Sequence, residues 1–147
     1  MTHPVPLPIQ QTILLPGLAM VSLTFVVLIA MYRRRVAQMK RERIHPQSVA
    51  TSAESAAKLT DSGPADNFRN LFELPVLFYF ALTVCAVIGL DDIATLALAW
   101  AFVASRVLHS AIQCSYNKVM HRFRAYLLGA AILLALWVRV AIELIGG

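Results

Sequence analysis

Three groups of polar side chains interrupt otherwise apolar stretches of this chain: Arg69, Asn70 and Glu73; Arg106, His109 and Gln113; and Arg122, Arg124 and Tyr126. Guanidinium groups take carboxylates in forked, bidentate contacts. A guanidinium beside a thiol favours the nucleophilic thiolate. Arginines with an amide, a carboxylate and phenols at the same level would suit a polar anionic molecule that carries an amine. Ionisable groups in bilayer segments are costly and mark functional sites by default. Together these residues describe an anion-binding pocket, one that an apolar second substrate could reach from the lipid.

Spacing makes the gathering physical. Asn70 and Glu73 are three residues apart and Arg69 and Glu73 four, so a continuous helix would place them on one side. Arg106, His109 and Gln113 fall at i, i+3 and i+7, a single stripe. Glu73 and Arg106 are natural partners for an ion pair, because an unpaired buried charge is expensive.

The elements that must position these groups are membrane spans. The 147 residues are 59% hydrophobic and 14% charged, whereas a soluble domain has about 25% charged residues. The apolar residues form four blocks near 12–32, 66–90, 93–116 and 123–145, each about the 20 residues that a crossing needs. The fold class is therefore all-α integral membrane, one four-helix domain over 1–147. Arg33, Arg34, Arg35, Lys40, Arg41 and Arg43 follow the first span, and the 117–122 loop is also basic. The positive-inside rule puts both loops in the cytoplasm and both termini outside. On that topology all three polar groups lie in the cytoplasmic leaflet.

The net charge of +5 sits beside spans, which argues for lipid headgroups and not for nucleic acid. Residues 1–11 carry Pro4, Pro6 and Pro8 and no basic residue, so they read as extended, and the first span as a retained anchor. Of the polar 33–65 cytoplasmic segment, 37–43 could continue the first helix into solvent, and 45–64 reads as a partly disordered loop with a helical turn near 53–59. His45 has no metal-ligand partner nearby. Asp66 reads as the N-cap of the second span, with Pro75 kinking it. Cys85 and Cys114 should lie about 25 Å apart in depth, too far for a disulfide. Arg139 and Glu143 read as snorkelling residues beside Trp137.

The motifs Arg69-Asn70-Leu-Phe-Glu73-Leu-Pro75, Ser105-Arg106-Val-Leu-His109 and Arg122-Phe-Arg124-Ala-Tyr126 resemble the membrane-associated proteins in eicosanoid and glutathione metabolism, the family that includes the microsomal glutathione transferases. The resemblance implies four-helix protomers in a homotrimer, with glutathione as co-substrate between subunits. It implies that Asn70 and Glu73 hold the peptide's backbone and amino group, and that His109 fixes the ligand. Arg122 would stabilise the thiolate, Tyr126 would line the site, and Arg106 would pair with Glu73. Arg69 and Gln113 complete the candidate set, and a lipophilic electrophile would be the second substrate. Two positions depart from the family: Asp66 replaces an arginine and Gln113 a tyrosine, where Arg69 or Arg124 would compensate. A non-catalytic membrane binding protein on the same scaffold is the alternative reading. A small multidrug exporter would need a carboxylate in the first span, and 12–32 contains none.

Overall fold

The computed structural model describes residues 12–146. It is all-helical, with four long apolar helical segments, consistent with a four-helix membrane bundle. Helix α1 is Leu15–Arg41, and a 3₁₀ turn at Pro46–Val49 leads to the short α2, Ser52–Lys58. The second apolar segment is two helices, α3 (Gly63–Asn70) and α4 (Leu74–Ile88). Helices α5 (Ile93–Cys114) and α6 (Val119–Gly146) follow. The expectation of an extended residue 1–11 stretch lies outside the described residues.

The core is a set of helical stripes. Phe78, Ala81, Leu82 and Cys85 are buried on α4, and Ala125, Gly129, Leu133, Leu136 and Val140 on α6. Each series repeats at three or four residues, as one helix face requires. Phe78 and Phe102 stack across α4 and α5 with centroids 4.4 Å apart. Outside the stripes, Phe25, Val26, Leu134 and Ile142 stay exposed. Large apolar side chains facing outward on every long helix fit a lipid environment, where no hydrophobic drive buries them.

Pro75 decides the geometry of the second segment. A helical proline lacks the N–H that would bond to the carbonyl four residues back and clashes with that carbonyl, here Leu71. Instead of kinking, the helix stops at Asn70, turns through Leu71–Glu73 and restarts with Pro75 in its first turn, where proline is tolerated. Glu73 becomes the residue that precedes α4, with φ −99° and ψ −102°. The continuous 66–90 helix is thus corrected to a broken one. The N-cap moves too: it is Ser62, with Pro64 in the first turn, and Asp66 lies one turn inside.

The segment expected to be partly disordered is pinned to the bundle. The Gln38 side chain, only 2% exposed, donates to Thr60 Oγ1 at 3.0 Å and accepts from the Asp61 N–H at 3.3 Å. Arg34 donates to the Cys114 carbonyl at 2.6 Å and reaches Asp61 at 3.5 Å, satisfying a carbonyl that the end of α5 leaves free. Thr51 and Glu54 form a reciprocal capping box on α2, the turn expected near 53–59. At Gly63 a Cβ would meet the Gln113 carbonyl at 2.7 Å, so glycine there lets α3 press against the end of α5.

At the opposite end Arg139 finds its partners on another element. It reaches across to the neighbouring helix, 2.7 Å from Asp92 Oδ2 and 3.1 Å from Thr95 Oγ1. Cys85 and Cys114 are free thiols.

Candidate functional site

Helix α5 carries the site because its buried stripe changes character along its length. Toward the Asp92 end the stripe is Ala99, Phe102 and Val103; toward the basic end it becomes Arg106, His109, Ser110 and Gln113. All four polar residues are nearly inaccessible, so their partners must come from the helices packed around them. Helix α3 supplies the amides and the first turns of α6 supply the cations. Gly129 sets the distance on the α6 side: a Cβ there would lie 2.8 Å from Ser105 Oγ and 3.7 Å from Arg106 Cδ.

Between α3, α5 and α6 lies a cleft of about 280 Å³, lined by Asp66, Asn70, His109, Gln113, Val119, Arg122, Phe123 and Tyr126. Five of the seven candidate ligand-binding residues thus share one cavity wall: Asn70, His109, Gln113, Arg122 and Tyr126. Asn70 Nδ2 donates to Gln113 Oε1 at 3.0 Å, fixing both amides. Arg122 stands in the first turn of α6, which begins earlier than the expected 123, at Val119. Its Nη1 donates to Asn117 Oδ1 at 2.9 Å, and Asn117 holds φ +48° to make that turn. One edge of the guanidinium is anchored, and among the described residues the other makes no side-chain hydrogen bond. The Tyr126 ring lies 6.0 Å from the His109 ring and 5.6 Å from the Arg106 guanidinium carbon.

The remaining two candidates stand elsewhere. Arg69 is exposed, 4.0 Å from Asp66 Oδ1, and lines a separate, smaller cavity with Arg35, Gln38 and Ser55. Glu73 is exposed at the helix break. The break removes the i, i+4 relation between them. Arg124 faces another groove, with Leu108, Tyr116 and His121.

The expected Glu73–Arg106 ion pair is absent: among the described residues Glu73 makes no salt bridge. Arg106 is fully buried, with Nη2 donating to the Asn70 carbonyl at 3.4 Å, while Nε and Nη1 have no partner. The Asn70 carbonyl can accept this contact because α3 ends there, and it also takes the Glu73 N–H at 3.4 Å. The cation–π approach to Tyr126 compensates part of the desolvation cost.

Sequence reasoning missed Asn67, which is fully buried beneath the cleft. Its Oδ1 accepts from Ser110 Oγ at 3.2 Å and its Nδ2 donates to Cys114 Sγ at 3.4 Å. Asn67 and Asn70 stand three apart, as do Ser110 and Gln113, and that matched spacing was the available signal. Asp66, read only as a cap and a departure, stands between the two cavities and lines both the cleft and the smaller one that holds Arg69.

A family model described as MAPEG family matches residues 13–142, nearly the whole chain. No curated protein and no solved structure matches the chain.

Proposed function

The chain belongs to the MAPEG family, and on that premise we propose that it is a glutathione-dependent membrane enzyme, a transferase or peroxidase of lipophilic electrophiles. Membership supports a glutathione-related function at a membrane. The observation that carries the finer reading is the convergence of Arg122, His109, Tyr126 and the tied Asn70–Gln113 amides on one cleft beside apolar helix surface.

Glutathione's carboxylates and amide groups are ligands for such a wall. The free edge of Arg122 stabilises the thiolate by direct charge attraction, strongest where water is excluded. The thiolate sulfur then bonds to the electrophilic carbon as the leaving group departs. With a hydroperoxide, the sulfur takes the distal oxygen and the alcohol leaves. The resulting sulfenic acid and a second glutathione yield the disulfide and water.

A homotrimer belongs to the same proposal. The cleft, at about 280 Å³, lies at the low end of the 300–1,000 Å³ typical of ligand pockets, and Glu73 and Arg69 are exposed outside its lining, available to a neighbouring copy. A non-catalytic reading has one observation behind it, the Asn70–Gln113 bond, which engages the two site amides with one another without any ligand.

Thiolate formation tests the proposal. Glutathione added to the detergent-purified protein should raise the ultraviolet thiolate absorbance at neutral pH, and Arg122→Ala should abolish the rise and lower turnover on the order of a hundredfold. An equal rise in the variant would remove Arg122 from the mechanism. No rise in the wild type would support the non-catalytic reading.

A further inference from the structure

The cleft wall contains one carboxylate and one guanidinium, Asp66 and Arg122. Glu73, to which the family resemblance gives the peptide's amino group, is exposed in the α3–α4 break and does not line the cleft. Asp66 stands one turn inside the start of α3 with its side chain 45% exposed. Ser62 Oγ donates to its Oδ2 at 2.7 Å. Its other oxygen sees only Arg69, at 4.0 Å and itself 72% exposed, a separation too long for a strong hydrogen bond. Asp66 is therefore held in orientation while one oxygen keeps accepting capacity. The two amides between the charges are already bonded to one another.

We propose that Asp66 is the residue that receives the ligand's ammonium group, so that the cleft selects a dipolar thiol, cationic at the Asp66 end and anionic at Arg122. This rests on the glutathione reading and sharpens it. A γ-glutamyl peptide with a free amine fits the pattern; the same peptide with its amine acylated does not, because it meets Asp66 with no cation and an extra net negative charge.

S-hexylglutathione and its N-acetyl derivative, titrated calorimetrically into the full-length protein in detergent, test this without requiring turnover. The wild type should prefer the free amine by about twofold to fivefold, the range of a partly exposed ion pair, and the preference should shrink in high salt. Asp66→Asn, which keeps an oxygen for Ser62, should bind both forms alike, and Asp66→Glu should restore the preference. Equal binding by the wild type, or a preference that survives in Asp66→Asn, overturns the assignment while leaving the glutathione reading intact. Loss of the preference in Glu73→Gln and not in Asp66→Asn also overturns it. Failure of the folded wild type to bind either form overturns both.

Discussion

Asn67 shows how much of the site depends on a residue that touches no ligand. Its amide satisfies Ser110 and reaches Cys114 from inside the bundle, holding α3 and α5 in the register that sets Asn70 against Gln113. Truncation to alanine leaves buried polar groups without partners, at about 1–3 kcal/mol. Asn67→Ala should therefore lower the thermal unfolding midpoint in detergent and weaken ligand binding together; an unchanged midpoint would contradict its structural role. The sequence made most of the cleft legible, since His109 and Gln113 share a stripe and Arg122 and Tyr126 share a helix face. The one-face relation of Arg69, Asn70 and Glu73 is lost for a physical reason: helical spacing was carried across residues that Pro75 prevents from being helical. Asp66 was misread as a cap because Gly63-Pro64 looked like loop, although proline is favoured in a first turn.

Among elements, the Asp92–Thr95–Arg139 cluster joins the start of α5 to the last turns of α6. The Thr95 hydroxyl above all, with the Thr95 and Ala94 N–H groups and Arg139, holds the Asp92 carboxyl down at about 2, against an ordinary 3.8 and against the smaller effect of burial. A depressed folded-state value stabilises the fold above the unfolded value, and that stabilisation is lost as pH falls through the folded one. The unfolding midpoint should hold steady above pH 3.8 and drop as pH approaches about 2, with a smaller drop in Asp92→Asn. Because Asp92 is 43% exposed, solvent keeps the effect modest. The same slope in wild type and variant would show that the cluster contributes nothing. Arg139 was read in the sequence as a snorkelling residue; only packing could reveal a partner 47 positions back. Long apolar blocks foretold the four spans, whose limits moved by several residues where caps and prolines govern.

For the whole molecule, four apolar helical segments and the family match fit a multi-pass membrane protein. The basic loop is tied down before α3: Gln38 on α1 bonds Thr60 and the Asp61 N–H, while Arg34 reaches the Cys114 carbonyl at the end of α5. Composition marked 33–65 as polar but could not show that Gln38 would be buried against it, since a lone glutamine on a helix carries no periodic signal. Through these ties the loop buttresses the same end of the bundle that holds the cleft.

Calorimetric titration of glutathione into the detergent-purified protein, beside Arg122→Ala of equal thermal stability, tests most directly whether that cleft is a glutathione site. The account predicts saturable binding by the wild type and its loss in the variant. A folded wild type that takes up no heat at millimolar glutathione, or a variant that binds as tightly, would contradict it.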